Sequence, residues 1–161
     1  MYLKMNELKA FFKAFTYAAE GIVHCLKHCR NFRFHLCAAV TVTVLSLYYD
    51  FTRTEYCILF LCIGSVISAE LMNSAAEAAV DEAAGKKITA NAKKAKDCAA
   101  GAVLVSAVFS AVCGFFLFGQ THILLSAASD IVSNPFKLAA AILWFAFYIW
   151  FVLFLKIKPK D

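Results

Sequence analysis

Four polar side chains recur at helical spacing: Glu70, Asn73, Glu77 and Asp81. At about 100° per residue, an α-helix places the last three within about 60° of Glu70, so all four share one face. The stripe is roughly 16 Å long at a rise of 1.5 Å per residue. Three carboxylates on one face repel each other unless a cation, a basic side chain or a proton lies between them. The spacing therefore predicts a site for magnesium held by oxygen ligands, or a proton relay.

Glu70 is the carboxylate whose position most needs a reason. It follows twelve residues that contain no charge, and an ionisable group at the end of an apolar helix is costly. Glu77 and Asp81 have a simpler interpretation as solvated residues of a helix that leaves the membrane, paired with Lys86 or Lys87. The spacing leaves both interpretations of Glu77 and Asp81 open.

A basic cluster forms the second candidate site. Lys93, Lys94, Lys96 and Asp97 immediately precede the apolar run 98–118. Lys96 and Asp97 are therefore expected at a helix N-terminus, where the positive end of the helix and the lysines would receive phosphates and Asp97 would cap the helix. The alternative is that the lysines only flank a membrane span on its cytoplasmic side.

The third candidate is a repeat of His and Cys four residues apart, formed by His24, Cys25, His28 and Cys29. Residues at this spacing share a helical face and would offer two ligands to zinc. Because zinc needs more than two ligands, an accidental spacing on a surface helix is the favoured interpretation.

The apolar residues that must position these groups are gathered into four blocks. Of the 161 residues, 62% are hydrophobic and only 17% are charged. This hydrophobic share exceeds what a soluble domain of this length needs for its core. A membrane-spanning helix takes roughly 20 apolar residues, so the first block is short unless flanking aromatic residues extend it. The chain is therefore predicted to be an all-α integral membrane protein whose spans are 36–49, 56–72, 98–118 and 138–155.

Three segments follow from this division. Residues 1–30 are predicted to form an amphipathic surface helix, because lysines are dispersed among aromatic and aliphatic residues without the apolar core of a signal peptide. Residues 31–119 hold the first three spans. Residues 120–161 are predicted to form an external link, 120–134, followed by a fourth transmembrane helix.

The distribution of basic residues predicts the orientation. The link 120–134 contains no Lys or Arg, whereas basic residues crowd before the first span, between the second and third, and after the fourth. Cytoplasmic segments carry such an excess, so both termini are expected in the cytoplasm. The residues concerned are Lys27, Arg30, Arg33, Lys86, Lys87, Lys93, Lys94, Lys96, Lys156, Lys158 and Lys160.

The run Glu-Leu-Met-Asn-Ser-Ala-Ala-Glu-Ala-Ala-Val-Asp (70–81), followed by Ala-Lys-Asp (95–97), closely resembles the signature of the prokaryotic diacylglycerol kinase family. The resemblance covers roughly 10–119. Its flanks, 30–35 and 97–104, are more similar to the Gram-positive branch, whose members phosphorylate undecaprenol. It implies a multi-pass protein of the bacterial cytoplasmic membrane that uses magnesium ATP. It also implies a homotrimer of three-span subunits with active sites shared between protomers, and no nucleic acid partner is expected.

The resemblance also implies roles for individual residues. Glu70 would be the general base that accepts the proton of the lipid hydroxyl during attack on the γ-phosphate. Asn73 would hydrogen-bond around the reacting groups, and Glu77 would coordinate magnesium. Lys96 would neutralise phosphate charge, and together with Asp81 and Asp97 it would contact or orient the nucleotide.

Two departures from the family pattern keep alternatives open. The family's second metal-binding glutamate lies three residues before its Phe-Arg pair, and that position is Cys29 here. A thiol is a poor magnesium ligand. The extra fourth span is the second departure. Undecaprenol kinase is the leading hypothesis, diacylglycerol kinase is the runner-up, and a catalytically weakened membrane interaction protein is a third. A proton-coupled transporter ranks below them, because no broken helix or inverted repeat accompanies the acidic stripe.

Overall fold

The computed structural model describes residues 2–85 and 89–155, apart from the side chains of 2–6 and 8. These residues form helices joined by short connections, and no strand occurs among them. The predicted all-α fold is confirmed. The helices are α1 (Tyr2–His28), α2 (Arg30–Ser46), α3 (Arg53–Ala83), α4 (Ala90–Phe118), α5 (Thr121–Ser133) and α6 (Pro135–Leu153).

Short polar side chains set where several helices begin. Thr52 accepts a hydrogen bond from the backbone of Glu55, whose side chain in turn accepts one from the Thr52 backbone, so α3 starts with a complete capping box. At the starts of α4 and α6, the side chains of Thr89 and Asn134 accept hydrogen bonds from backbone N–H groups of the first turn, which have no partner inside the helix. Beyond the end of α3, Gly85 has φ of 55°, a conformation that favours glycine.

Three of the described helices are long and apolar enough to cross a membrane: α3, α4 and α6. They contain nearly all of the predicted spans 56–72, 98–118 and 138–155. The chain is therefore a multi-pass membrane protein. The predicted span 36–49 falls mainly in α2, whose 17 residues give a length of roughly 26 Å, slightly less than the hydrocarbon core of a bilayer. A complete crossing by α2 stays a prediction.

α3 and α4 form an antiparallel hairpin, which is the most extensively packed pair of helices. Ser110 donates a hydrogen bond to the carbonyl of Cys62 midway along it. α2 lies against α3, and the three helices enclose an apolar cavity of about 350 Å³. Leu59, Val66 and Leu117 line this cavity, and His35 stands among its lining residues.

α6 packs antiparallel to α2 along most of its length. Trp144 Nε1 donates to Thr41 Oγ1 at 3.1 Å, and the Tyr148 hydroxyl donates to the Phe34 carbonyl at 3.4 Å. At the other end, Lys137 Nζ lies 6.0 Å from the centre of the Tyr48 ring. The end of α6 thus returns to the side of the molecule where α2 begins. α2 therefore lies beside α6, which is long and apolar enough to cross a membrane.

The segment 120–134 is more than a link, because α5 occupies nearly all of it. Its polar residues recur at helical spacing, so the segment carries a local signal for a helix that the division into apolar blocks passed over; they are His122, Ser126, Ser129, Asp130 and Ser133. α5 packs on α6, and Lys137 Nζ donates to Asp130 Oδ2 at 2.6 Å. Ala127 is the buried residue of α5, with 2% of its surface exposed.

α1 leaves its aromatic side chains outside the helical bundle. Phe11, Phe12 and Phe15 are each about 60% exposed, and among the side chains of α1 that the structure describes only Cys25, near the end of the helix, is buried. Lysines and exposed aromatic rings on a peripheral helix suit the headgroup layer of a membrane. This arrangement agrees with the predicted surface helix, while the boundaries of the three predicted segments stay predictions.

Candidate active site

A polar cleft of about 300 Å³ lies between the junction of α1 with α2 and the second half of α3. α1 ends at His28, Cys29 is extended, and α2 starts at Arg30, so a single residue turns the chain. This junction forms one wall of the cleft and α3 forms the other. The lining residues are His28, Cys29, Arg30, Asn31, Glu70, Asn73, Ser74 and Glu77.

Glu70 lies at the deep end of the cleft with only 4% of its surface exposed. Its nearest basic group is on α2, where His35 Nε2 is 3.5 Å from Glu70 Oε1. A buried carboxyl group needs such a polar neighbour, because burial of an isolated charge is costly. No sequence pattern predicts a role for His35, although His35 ends the family-like flank 30–35. The contact joins two helices, so no local spacing signalled it.

Asn73 and Glu77 face the same cleft one turn apart. Asn73 Nδ2 donates to Glu77 Oε1 at 3.0 Å, which turns the amide oxygen of Asn73 the other way. That oxygen is buried and has no hydrogen-bond partner among the described residues. Buried polar atoms are normally satisfied, so Asn73 Oδ1 marks a place where an added donor or cation would bind. Glu77 itself is exposed.

Cys29 faces α3 across the cleft. Its Sγ and the Ser74 Oγ share a hydrogen bond at 3.2 Å. Cys25, one turn earlier on α1, is buried beside the same two residues, and burial raises the pKa of its thiol. The resemblance implies a metal-binding glutamate at this position. Here the position holds a thiol that shares a hydrogen bond with a neutral hydroxyl.

Asp81 and Lys96 form an ion pair across the hairpin, with 2.5 Å between Lys96 Nζ and Asp81 Oδ1. Asp81 therefore has a partner on α4. Lys86 and Lys87, the alternative partners, lie outside the described residues. The pair is partly exposed, and Asp81 lies about three turns from Glu70 along α3, roughly 16 Å by helical rise.

The expected helix N-terminus at Lys96 and Asp97 is wrong. α4 already begins at Ala90 and is capped by Thr89, so Lys96 and Asp97 occupy its second turn. The segment that precedes them is rich in alanine and lysine, which are strong helix formers and extend the helix backward from the apolar run. Asp97 is exposed and does not cap the helix.

The His and Cys repeat does not form a group of metal ligands in the described part of the chain. Across 2–85 and 89–155, no group of three or more His, Cys, Asp or Glu side chains is arranged to hold a metal ion. His24 and His28 are exposed with ring centres 4.7 Å apart, whereas Cys25 is buried. The repeated His and Cys residues thus do not converge on one point.

Oxygen donors in the cleft nevertheless fit magnesium bound together with a nucleotide. Magnesium usually takes one or two protein oxygens and fills its octahedron with water and substrate phosphates. Glu77 supplies a carboxylate at the open side of the cleft, and the Asn73 amide oxygen, which is directed away from Glu77, is left to accept a hydrogen bond from a water molecule or a substrate group. This donor set is too small for a metal held by the protein alone, and it suits one that arrives with phosphates.

Comparison with known proteins identifies a family and several relatives. The family profile described as prokaryotic diacylglycerol kinase matches residues 16–118. An undecaprenol kinase of Bacillus subtilis is 43% identical over 113 residues, which cover 70% of this chain and 91% of that protein. No solved structure matches significantly.

Two relatives carry the name diacylglycerol kinase. The protein from Synechocystis is 36% identical over 101 residues, covering 63% of this chain and 58% of that protein. The protein from Helicobacter pylori is 35% identical over 118 residues, covering 73% of this chain and 88% of that protein. The matched family profile ends with α4, so α5 and α6 lie beyond it.

Proposed function

This chain belongs to the prokaryotic diacylglycerol kinase family, and we propose that it transfers the γ-phosphate of ATP to undecaprenol. The observation that carries the proposal is the contact between His35 and Glu70. His35 lines the apolar cavity between α2, α3 and α4, whereas Glu70 lines the polar cleft, and the two side chains are 3.5 Å apart. An apolar chain and a phosphate donor would therefore meet at Glu70.

In the proposed reaction Glu70 is the general base. The lipid hydroxyl oxygen attacks the γ-phosphorus of ATP, its proton passes to Glu70, and the bond from the γ-phosphorus to the bridging oxygen breaks to release ADP. A carboxylate at the deep end of the cleft is suited to this, because a lipid alcohol presents its hydroxyl near the headgroup boundary. Asn73 would hydrogen-bond to the reacting groups from the next turn.

Glu77 would hold magnesium together with the phosphates of ATP. Bound there, magnesium would neutralise charge that develops on the transferred phosphoryl group. Lys96 would neutralise phosphate charge as well, and Asp81 would hold its ammonium group in place through their ion pair. Asp97, exposed beside Lys96, would contact the nucleotide.

We further propose that three subunits assemble and share their sites, with both termini in the cytoplasm. Lys96 lies well away from Glu70 along the hairpin, so a neighbouring protomer is a suitable source of the nucleotide-binding groups. Large apolar side chains on α4, such as Phe115 and Phe116, are more than 70% exposed and are available to lipid or to another subunit.

A catalytically weakened interaction protein is the second candidate function, and Cys29 is the observation that favours it. The thiol bonds to Ser74 and would bind magnesium poorly. Diacylglycerol is the alternative acceptor, as two of the relatives carry that name. Greater identity over almost the whole length of the Bacillus protein supports undecaprenol.

The test is transfer of labelled phosphate from ATP by the purified protein in lipid, with undecaprenol and diacylglycerol supplied separately. We expect undecaprenol to be the preferred acceptor and Glu70→Gln to reduce transfer to background while the protein still assembles. Preference for diacylglycerol would change the assigned substrate. Turnover retained by Glu70→Gln would remove Glu70 from its role, and a folded wild-type protein inactive on both lipids would favour the interaction function.

A further inference from the structure

Arg33 is a buried arginine at the point where three helices meet. It lies in the first turn of α2, and only 4% of its surface is exposed. One guanidinium nitrogen, Nη1, donates to the carbonyls of Leu26 and Lys27 at 3.2 and 3.1 Å. These carbonyls belong to the last turn of α1, where acceptors lack partners inside the helix.

The other nitrogen reaches the helix that follows the family-like core. Arg33 Nη2 donates to the Val152 carbonyl, near the end of α6, at 3.3 Å. The guanidinium carbon lies 5.9 Å from the centre of the Phe151 ring. A cation is favoured at the C-terminus of a helix and over an aromatic face. Arg33 therefore bonds the last turns of α1 and α6 to the start of α2.

The α1–α2 junction that Arg33 holds is also a wall of the cleft. Lys27 directly precedes His28, and His28 to Asn31 line the cleft opposite Glu70 and Glu77. The chain makes only a single-residue break there, so a small change in the angle between α1 and α2 moves the whole wall. An error of about 1 Å in such a position can cost a hundredfold in rate.

We propose that α6 is a working part of the active site and that Arg33 is the positioning residue through which it acts. α6 is fastened along α2 by Trp144 and Tyr148, which gives its last turn a fixed position. Through Arg33, that turn fixes the direction in which α1 leaves the junction. This inference rests on the proposed kinase function for its effect on turnover, and on geometry alone for its effect on the junction.

Two cysteines report on the junction without reference to activity. Cys25 is buried with a raised thiol pKa, so it should react slowly with maleimide in the native protein. Cys98 on α4 is exposed and serves as an internal control. Labelling of each cysteine is followed by mass spectrometry in the full-length protein in lipid, beside kcat and the KM for ATP.

Three variants separate the contributions. Arg33→Gln loses the charge, Arg33→Lys keeps the charge but cannot bond both helix ends with a fork of donors, and Phe151→Leu removes only the stacked ring on α6. Phe145→Leu is the matched control, because it makes the same change as Phe151→Leu at an exposed ring on α6 that does not contact Arg33. We expect Arg33→Gln to label Cys25 several times faster, with Cys98 unchanged, and to lower kcat/KM about tenfold or more.

Arg33→Lys and Phe151→Leu should shift both readouts in the same direction by smaller factors, whereas Phe145→Leu should leave both near the wild-type values. Faster labelling of Cys25 at unchanged kcat/KM would overturn the positioning role, since the junction would loosen without effect. Lower activity with unchanged labelling would overturn it as well. If the wild-type protein phosphorylates neither lipid, the proposed function fails on that result alone. Cys25 labelling then decides whether Arg33 and α6 fix the junction, and unchanged labelling in Arg33→Gln would refute this.

Discussion

Individual side chains in the cleft depend on contacts between helices. Glu70 on α3 has its basic neighbour on α2, and Cys29 in the junction bonds to Ser74 on α3. Asn73 is held by a neighbour on its own helix, which leaves its amide oxygen directed away from Glu77. The chemistry proposed for the cleft therefore depends on the distance between α2 and α3 as much as on the acidic stripe.

His35→Phe removes the imidazole and keeps an aromatic ring at the boundary of the apolar cavity. Because His35 is 3.5 Å from the proposed base, we expect kcat to fall about tenfold or more while the KM for ATP stays close to that of the wild-type protein. Steady-state kinetics with undecaprenol measures both constants. An unchanged kcat would show that His35 does not assist Glu70.

Cys29→Glu introduces a carboxylate at the position where the family has one. An oxygen ligand opposite Glu77 should strengthen magnesium binding, so activity at limiting magnesium should rise several-fold. Cys29→Ser is the control, because it supplies a neutral oxygen of similar size. A magnesium titration of the kinase activity compares the three proteins. Equal curves for all three would mean that the wild-type site does not need a ligand from this position.

α6 is held by different interactions at its two ends. α6 is bonded to Arg33 at its C-terminal end and to α5 at its N-terminal end. The Lys137 ammonium donates a hydrogen bond to Asp130, which holds the pKa of that carboxyl below its usual value, and Tyr48 adds to the effect. The α5–α6 corner is therefore stabilised by a charge pair on the exposed surface.

The Asp130 pair predicts how stability responds to acid. A carboxyl whose pKa is lower in the folded state contributes stability above its unfolded pKa of about 3.9, and loses it as pH falls through the folded value. We expect Asp130→Asn to unfold at a lower temperature than the wild-type protein at neutral pH. The two melting temperatures should converge in acid below the folded pKa. The difference should be small because the pair is exposed, and a constant difference at all pH values would contradict the assignment.

The whole chain combines a family-like core, 16–118, with two further helices, α5 and α6, that lie beyond the matched profile. The matched profile ends at Phe118 with α4, yet α6 packs against α2 and reaches the first turn of that helix. In this protein α6 thus contacts Arg33, which also bonds the last turn of α1 beside the cleft.

Sharing of active sites between subunits predicts complementation. Glu70→Gln and Lys96→Ala should each be inactive or nearly so, but trimers reassembled from a mixture of the two should recover part of the wild-type activity, since one intact site can form from two different subunits. The measurement is kinase activity after co-reconstitution at several ratios. Each variant reconstituted alone is the control, and no recovery at any ratio would place Glu70 and Lys96 in one protomer's site.

Much of the architecture followed from local patterns. The apolar blocks and charged gaps predicted α3, α4 and α6, because a helix that crosses lipid must satisfy its own backbone and expose apolar side chains. The helical period of Glu70, Asn73 and Glu77 predicted that they share one face of a helix, and the structure places all three in the cleft. Two local errors had local causes: strong helix formers extended α4 backward to Ala90, and α5 is too short to be recognised as a membrane span, although its polar residues have helical spacing.

The contacts between distant parts of the chain were beyond these patterns. Arg33 bonds to a carbonyl 119 residues away, and Trp144 to a hydroxyl 103 residues away. Such pairs depend on how helices pack, and helical period carries no information about which helix a face meets. Composition, spacing and family resemblance therefore determined that this is a membrane kinase-like helical protein with an acidic stripe. Only the packing of α2 against α3 and α6 placed His35 at Glu70 and α6 at the cleft, because these neighbours are chosen by side-chain fit between helices far apart in sequence.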